Sequence, residues 1–513
     1  KGEGSMETRQ QWGTRAGFIF AAVGSAVGLG NIWRFPYTAY ENGGGAFFLP
    51  YLFALLTTGI SLLAFEFALG HRHRGSAPLT FFRISPRAEF IGWWQMCVTF
   101  IVSTYYAVII AWSISYTYFA ITGAWGKDTQ SFLFKEYLHV ADKPGQFGGL
   151  VPEVLIPLAL VWIIVLGVAF KGVKKGIEVV NRIFIPLLVV MFLIIVVRAV
   201  TMEGAMQGLD AFFKPDWSRI FDGKVWLAAY GQIFFSLSLA FGIMITYSSY
   251  LPKNSDTTNN AFITGFANSG FELLAGIGVF AALGFMANNM GVPVDKVASA
   301  GVGLAFVVFP QIINELPMSP LFGVLFFLSL TVAGITSLIS LAEVCFAAVS
   351  EKFSLSREKT IGIMGTLLVL VSLVFATRGG LMFLDVVDYF ANNFGLITIA
   401  LAEVVTIGLI LRRLPVYQNH ANFVSDIKLG TFWRVSLLVI TPLMLGYMLI
   451  DGTIQNIKKN YGGYPTEFVV TYGWSIAAAF LIVALIISLK KWNAQIHSDS
   501  AKLEKEWKDR GVS

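Results

Sequence analysis

The sequence predicts an all-α polytopic membrane protein, and three observations indicate this fold class. Of the 513 residues, 56% are hydrophobic and only 13% are charged, whereas a soluble globular domain carries about 25% charged residues. The apolar residues form runs near the roughly 20 residues that a helix needs to cross a bilayer. Two of these runs carry glycine and polar side chains at mid-length, which predicts broken helices. Disordered, collagen-like and nucleic-acid-binding chains are excluded by this composition.

Twelve apolar runs are long enough to be transmembrane helices. They cover residues 16–40, 45–70, 91–122, 151–170, 180–200, 226–251, 261–287, 320–350, 360–377, 382–411, 432–452 and 467–489. An even number of crossings places both ends of the chain on the same side of the membrane. Residues 288–319 include an apolar stretch too short to cross, for which we expect a re-entrant or external helix.

Basic residues predict the orientation in the membrane, because loops rich in Lys and Arg remain cytoplasmic. They cluster in alternate loops, at Arg72, Arg74, Arg83 and Arg87, at Lys171, Lys174 and Lys175, and at Arg412 and Arg413. The net charge of +6 is therefore a topology signal and not a sign of nucleic-acid binding. We expect a multi-pass protein of the cell inner (plasma) membrane with both termini cytoplasmic.

The first run is interrupted by small and polar residues. Gly24, Gly28 and Gly30 are followed by Asn31 and Arg34 within one predicted span. A packing face of small residues is one interpretation, because glycines four apart let helices approach closely. The polar residues that follow favour the other interpretation, a helix that unwinds at mid-membrane and leaves backbone carbonyls without partners.

The sixth run repeats this pattern five spans later. Gln232, Ser236, Ser238 and Gly242 lie where an uninterrupted apolar helix is expected. Taken alone, the serines would be interpreted as hydroxyls bonded back to their own helix. Interrupted helices at corresponding positions are instead typical of transporters built from inverted repeats, with the binding site at the breaks. Because five spans is an odd number, the second half enters the membrane in the opposite sense.

These patterns predict six regions along the chain. They are a cytoplasmic N-terminus at 1–15, in which Lys1 to Ser5 are interpreted as a vector-derived remnant, a first five-helix repeat at 16–200, an extracellular loop at 201–225, a second five-helix repeat at 226–411, two additional transmembrane helices at 432–489 and a cytoplasmic tail at 490–513.

An enzyme is not expected. A membrane-embedded active site needs convergent histidines, paired acids or an activated nucleophile within the spans. The five histidines, at 71, 73, 139, 420 and 497, are all predicted to lie in loops or in the tail. Cys97 and Cys345 lie in separate apolar runs, so that neither a disulfide framework nor a cysteine metal cluster is predicted.

Five motifs together resemble the neurotransmitter:sodium symporter family, particularly its bacterial amino-acid transporters. They are residues 31–36 (Asn-Ile-Trp-Arg-Phe-Pro), 41–47 (Glu-Asn-Gly-Gly-Gly-Ala-Phe), Tyr105 with Tyr106, 232–250, and 333–337 (Ala-Gly-Ile-Thr-Ser). The resemblance runs from about Trp12 to the end of the twelfth span. It implies the fold of the bacterial leucine transporter, with two five-helix inverted repeats, two further helices, and unwound first and sixth helices.

The resemblance also implies a binding site for an amino acid and two sodium ions. Sodium prefers oxygen ligands. The implied ligands of the first ion are Ala26, Asn31, Ser236 and Asn268, with the substrate carboxylate completing the shell. Those of the second ion are Gly24, Val27, Ala333, Thr336 and Ser337. The implied substrate-binding residues are Ala26, Leu29, Gly30, Val102, Tyr106, Phe235, Ser236, Ser238, Phe241, Ser337 and Leu341. Ala240 stands where relatives have glycine, which leaves the size of the substrate open.

Two gates and one buried acid follow from the same resemblance. The implied outer gate consists of Arg34, Asp388, Tyr106 and Phe235. The implied inner gate consists of Arg9, Trp12, Ser249, Tyr250 and Glu351, where the family commonly has aspartate at the last position. Glu272 stands where chloride-dependent relatives have serine, so that its fixed charge predicts that chloride is not needed.

The sequence therefore predicts a sodium-coupled symporter that imports neutral, hydrophobic amino acids by alternating access. A non-transporting amino-acid sensor and a sodium channel on the same fold are the alternatives. The expected partners are the amino-acid substrate and the lipid bilayer, with no nucleic acid, and the oligomeric state is left open.

Overall fold

The computed structural model describes residues 9–512, so that the predicted vector-derived remnant lies outside the described residues. Within this range the chain is helical, and its only β-structure is one isolated antiparallel bridge between Leu150 and Thr377. Nine described helices are long and apolar enough to cross a membrane: Gly44–His73, Pro86–Thr122, Pro152–Val200, Thr257–Met290, Ser319–Phe353, Arg357–Phe375, Gly380–Ile410, Thr431–Gly463 and Thr466–Ser488.

Three further crossings add to these nine. One comes from dividing a helix that is already counted, and two come from pairs of shorter helices. Pro152–Val200 has 49 residues, more than twice the length that one crossing needs, and it is divided at Gly172, whose φ is +86°. The pair Arg15–Ala26 with Leu29–Glu41 is one bent span. We assign Gly223–Ser236 and Ile243–Ser248, which residues 237–242 separate, to one interrupted span as well. The described residues therefore contain twelve spans, numbered first to twelfth in chain order, and the predicted fold class is confirmed.

The first span breaks at two residues. Thr14 caps the start of the helix Arg15–Ala26 by accepting a hydrogen bond from the amide of Gly17. Val27 and Gly28 then adopt extended conformations, and the two halves meet at a bend of 53°. Extended residues cannot continue the helical hydrogen bonds, so that carbonyl and amide groups are freed in the middle of the span.

The sixth span breaks over residues 237–242. Ser238, Ala240 and Gly242 have φ values of 54°, 65° and 80°. These alternating left-handed residues prevent an α-helix, because such backbone conformations occur singly and not in helical runs. The two predicted breaks are therefore present and lie five spans apart.

The second span and the connections differ in detail from the prediction. The second span was expected to end at 70, but its helix continues to His73, so that His71 and His73 lie in its last turn and not in a loop. The ambiguous spacer contains the short apolar helix Gly301–Asn314, and the tail contains the helix Ala494–Asp509. At the core of the bundle, the third span Pro86–Thr122 packs along the eighth span Ser319–Phe353, which also contacts the first half of the first span.

Candidate functional site

A cavity of about 110 Å³ lies between the two helix breaks. All eleven residues that the resemblance implied for substrate binding line it. The same cavity is lined by Ser25, Gly28, Asn31, Arg34, Tyr105, Gln232, Ile243, Asp388 and Asn392. The fold therefore brings together residues from the first, third, sixth, eighth and tenth spans, which are far apart in sequence.

The break in the first span presents its backbone to this cavity. The amide of Leu29, at the start of the second half-helix, donates a hydrogen bond of 3.2 Å to the hydroxyl of Tyr106. Gly28 permits this approach, because a Cβ atom there would lie 2.8 Å from the Tyr106 hydroxyl and 2.9 Å from that of Ser337. The positive end of a helix dipole, with free amides, favours an anionic group at this position.

Polar side chains from the first, sixth and seventh spans form one buried network. Asn31 Nδ2 donates to Asn268 Oδ1 at 2.8 Å, and Asn268 Nδ2 donates to Ser236 Oγ at 2.7 Å. Asn31 Oδ1 in turn accepts a 3.0 Å hydrogen bond from the Gly28 amide. This network gathers the side-chain oxygens of three of the four implied first-ion ligands, and Ala26 lines the adjoining cavity.

Glu272 lies at the end of the same network and is fully buried. Its carboxylate accepts hydrogen bonds from the hydroxyls of Tyr51 and Ser236, and a third of 3.0 Å from Gln232 Nε2. Tyr51 and Gln232 were not assigned from the sequence. Gln232 was noted only as a polar interruption of the sixth span, and Tyr51 gave no signal because a tyrosine in an apolar run is common.

The first and eighth spans meet at the hydroxyl of Ser337. It lies 3.3 Å from the carbonyl of Gly24 and 3.4 Å from that of Val27. Thr336 donates a 3.1 Å hydrogen bond back to the carbonyl of Ala333 in its own helix. Three of the five residues implied for the second ion, Gly24, Val27 and Ser337, are therefore in contact where these two spans touch, and Ala333 and Thr336 lie within one turn of Ser337 on its helix.

The Arg9 end of the molecule is closed by an interlocked network. Arg9 forms a 2.6 Å ion pair with Glu351 and donates a hydrogen bond of equal length to the Ser249 hydroxyl. Trp12 donates from its indole to the carbonyl of Tyr247, and its own amide donates to the carbonyl of Tyr250. The residues that the resemblance implied for the inner gate are thus in direct contact with one another.

Two residues that the sequence did not assign extend this network. The hydroxyl of Tyr250 donates to Glu343 at 2.7 Å, and Arg357 holds the same carboxylate with two hydrogen bonds of 2.9 and 2.7 Å. Both carboxylate oxygens of Glu343 therefore accept hydrogen bonds from side chains outside its own helix. Glu351 forms this ion pair with Arg9, although the family resemblance implies a shorter aspartate at its position.

The opposite end is not closed in the same way. Asp388 accepts hydrogen bonds from the Tyr105 hydroxyl at 2.6 Å and from Asn392 at 3.0 Å. The guanidinium of Arg34 lies over the ring of Phe235, 5.5 Å from its centroid. The implied ion pair of Arg34 with Asp388 is not formed, although both residues line the cavity. Asn392 was not assigned, and its position four residues after Asp388 on one helix face was the available signal.

Two closely packed broken spans around a polar cavity define a multi-pass membrane protein with an internal site for a small molecule. Comparison with known proteins specifies this class further. The family model described as the sodium:neurotransmitter symporter family matches residues 9–134 and 126–495. An uncharacterized sodium-dependent transporter of Methanocaldococcus jannaschii is 41% identical over 487 residues, which cover 95% of this chain and 99% of that protein.

Animal proteins are also similar over nearly the whole chain. The sodium- and chloride-dependent GABA transporter 2 of Macaca fascicularis is 31% identical, and the human protein of the same name is 30% identical. Each comparison covers 94% of this chain, with 85% and 86% of the respective relative. The chain belongs to the sodium:neurotransmitter symporter family. It is therefore a member of a family of sodium-dependent transporters, and it is not an enzyme.

Proposed function

We propose that the protein is a symporter that uses two sodium ions to import a neutral, hydrophobic amino acid by alternating access. The observation that carries this proposal is the cavity between the two breaks, where backbone groups, hydroxyls and side-chain amides face one small volume. Such groups suit a hard cation and a zwitterion side by side, because they provide oxygen ligands and amide donors together.

The two sodium sites are proposed where the oxygen atoms converge. Asn31, Ser236 and Asn268, with the carbonyl of Ala26, would hold the first ion, and the substrate carboxylate would complete its shell. The second ion would lie among Gly24, Val27, Ala333, Thr336 and Ser337. Because the carboxylate is shared with the first ion, sodium and substrate would each strengthen the binding of the other.

The orientation of the amino acid follows from the polarity of the cavity. Its carboxylate would face the amides of Leu29 and Gly30 and the hydroxyl of Tyr106, and its ammonium would face carbonyls at Ala26, Phe235 and Ser238. Its side chain would face Val102, Phe241 and Leu341, with Tyr106, Phe235 and Ser337 nearby. This mostly apolar surface favours a neutral side chain, because a charged one would be buried without a partner.

Each end of the cavity would carry one gate, and the two gates would differ in whether their charged residues are paired. The Arg9 network would be the closed cytoplasmic gate, while Arg34 and Asp388 would form the outer gate with Tyr106 and Phe235 once substrate is bound. This assignment follows the basic loops, which favour cytoplasmic termini in the plasma membrane. The arrangement corresponds to an outward-facing state that is ready to accept sodium and amino acid.

Chloride independence is proposed from the surroundings of Glu272. Its carboxylate already accepts hydrogen bonds from Tyr51, Gln232 and Ser236. A chloride ion at this position would compete for the same donors and would be repelled by a neighbouring negative charge. This is the point at which the chain would differ from relatives that are named as chloride-dependent.

The energy available from two sodium ions is large enough for accumulation of substrate. Each charge that crosses the membrane contributes about 2.3 kcal/mol per 100 mV. At a potential of about 100 mV, two sodium ions that cross with a neutral zwitterion therefore contribute about 4.6 kcal/mol. At about 1.4 kcal/mol per tenfold ratio, this energy sustains roughly a thousandfold gradient from the membrane potential alone.

Uptake of radiolabelled leucine into proteoliposomes tests the proposal. We expect uptake that requires an inward sodium gradient, is stimulated by a negative interior potential, and is competed by neutral hydrophobic amino acids but not by Glu or Lys. Amino-acid binding without uptake would indicate the sensor, and sodium flux without coupled amino acid would indicate the channel. Uptake that is insensitive to sodium would refute symport.

A further inference from the structure

A second cavity, of about 380 Å³, lies outside the transport site, beneath the C-terminal helix Ala494–Asp509. It forms where four parts of the chain meet. These are the last turn of the second span, the short helix Ala77–Ile84 that follows it, the segment after the tenth span that begins at Arg413, and the C-terminal helix itself. We call it the basic cavity, because the charged groups that line it are Arg72, Arg83, Arg413 and Glu504.

Arg72 is the central donor of the basic cavity. It is only 3% exposed, and its Nη1 atom donates to no acceptor within residues 9–512. Its other terminal nitrogen lies 3.6 Å from a carboxylate oxygen of Glu504, whose side chain is 50% exposed. Glu504 is therefore a distant and solvent-screened partner. Among the described residues, the buried guanidinium of Arg72 therefore has no carboxylate within hydrogen-bond distance.

The other two arginines converge on the same volume. Arg83 is fixed by donating from Nε to the hydroxyl of Ser500 at 2.9 Å and from Nη1 to the carbonyl of His73. Arg413 is exposed and follows directly after the tenth span. Three guanidinium groups with one carboxylate leave an excess of two positive charges and several donors. An anion with several oxygen atoms would satisfy them, because guanidinium groups bind such anions through paired hydrogen bonds.

We propose that the basic cavity binds a phosphate group that carries net negative charge. The second span ends at His73, which lines the cavity, and the tenth span ends at Ile410, shortly before Arg413. Because spanning helices end near the lipid headgroups, we infer that the cavity lies at that level. An anionic phospholipid is therefore one source of the phosphate, and free phosphate shares the same chemistry. A bound phosphate would join the ends of these two spans to the C-terminal helix and would stabilise the docked position of that helix.

Thermal unfolding of the purified full chain in neutral detergent tests this proposal at constant sodium and ionic strength. The probes are inorganic phosphate, short-chain phosphatidylglycerol and, as a zwitterionic control, short-chain phosphatidylcholine. We expect a saturable rise in the unfolding midpoint with phosphate or phosphatidylglycerol, and a smaller rise or none with phosphatidylcholine. A response to phosphatidylglycerol alone assigns the lipid as the source, a response to phosphate alone assigns the free ion, and a response to both shows that the phosphate group suffices.

Two neighbouring surface arginines provide a matched pair of variants. Arg413→Gln removes a guanidinium that lines the basic cavity, whereas Arg412→Gln removes an exposed one that does not line it. We expect the midpoint concentration of the effective probe to rise about tenfold in Arg413→Gln, which corresponds to a lost charged hydrogen bond. It should stay unchanged in Arg412→Gln. Equal behaviour of the two variants, equal responses to both lipids, or no response to any probe would overturn the proposal.

Discussion

Ala240 shows how one residue in the helix break affects the site. Its φ of 65° is the left-handed conformation that favours glycine, the residue that the family resemblance implied there. The sequence left open whether the extra methyl group narrows the pocket. Ala240 is fully buried, its amide donates a 2.8 Å hydrogen bond to Glu66, and it is absent from the residues that line the cavity. The methyl group is therefore buried and does not line the cavity.

The first prediction follows from this position. Ala240→Gly should leave the competition profile of the twenty amino acids unchanged and change stability by no more than about 1 kcal/mol, because relief at positive φ offsets the lost methyl contact and the added chain entropy. Competition in proteoliposome uptake and a thermal unfolding midpoint measure both effects. An increase in the size of the preferred amino acid would show that the methyl group does face the pocket.

The second prediction concerns Asn268, which bonds to both Asn31 and Ser236. Asn268→Ala should weaken sodium and amino-acid binding together, each by about tenfold or more, because two buried partners lose a hydrogen bond and the shared ion is lost. Sodium-dependent binding of a labelled amino acid provides the measurement. Asn259→Ala, at the half-buried start of the same helix, is the matched control. Weakening of only one of the two ligands would show that their sites are separate.

At the scale of elements, the second half of the sixth span is held by the N-terminal segment. The second half of the sixth span, Ile243–Ser248, and the following Ser249 and Tyr250 contact the chain at Arg9 and Trp12. Ser76, in the loop after the second span, donates from its amide to Glu351 at 3.0 Å. Glu351, in the eighth span, therefore binds both the N-terminal segment and this loop. Opening of this end requires these two interactions to break.

The third prediction tests this connection. Glu351→Gln removes the charge that pairs with Arg9, and we expect residues 243–251 to exchange their amide hydrogens about tenfold faster, which corresponds to a loss of about 1.4 kcal/mol. Hydrogen–deuterium exchange with mass spectrometry measures this rate. Glu358→Gln, an exposed glutamate in the first turn of the ninth span, is the control. Equal protection in both variants would mean that the ion pair does not hold the gate.

At the scale of the whole molecule, the two ends of the cavity differ in how their side chains are paired. One end is tied by a charged and aromatic network, while the opposite end has Asp388 bound to Tyr105 and Asn392 and Arg34 turned over Phe235. Alternating access requires that the two ends do not open together. A molecule closed at one end and unpaired at the other meets this requirement.

The fourth prediction concerns the ions that drive the complete cycle. Replacing external chloride with gluconate should leave amino-acid uptake unchanged, because Glu272 already supplies a negative charge beside the proposed first sodium site. Replacing sodium with potassium should abolish uptake in the same vesicles. Initial uptake rates provide the measurement, and a large loss of uptake in gluconate would refute the role proposed for Glu272.

The sequence by itself determined the membrane class, the number of spans, the positions of the two breaks and the family. Hydrophobic run length and interrupting polar residues are local properties that are independent of packing. The eleven implied substrate-binding residues, all of which line the cavity, were also predicted, because the resemblance to known relatives implied them. The contacts of Glu343 with Tyr250 and Arg357 were not predicted, because they depend on how separate helices pack.

Only the tertiary structure decided which of these groups are in contact. The ion pair of Arg9 with Glu351 joins residues 342 positions apart, whereas Arg34 and Asp388 remain unpaired with each other. The basic cavity unites chain segments separated by more than 400 residues, from Arg72 to Glu504. Contacts across such distances depend on how helices pack and on which conformational state the molecule occupies, and neither is encoded in a local pattern.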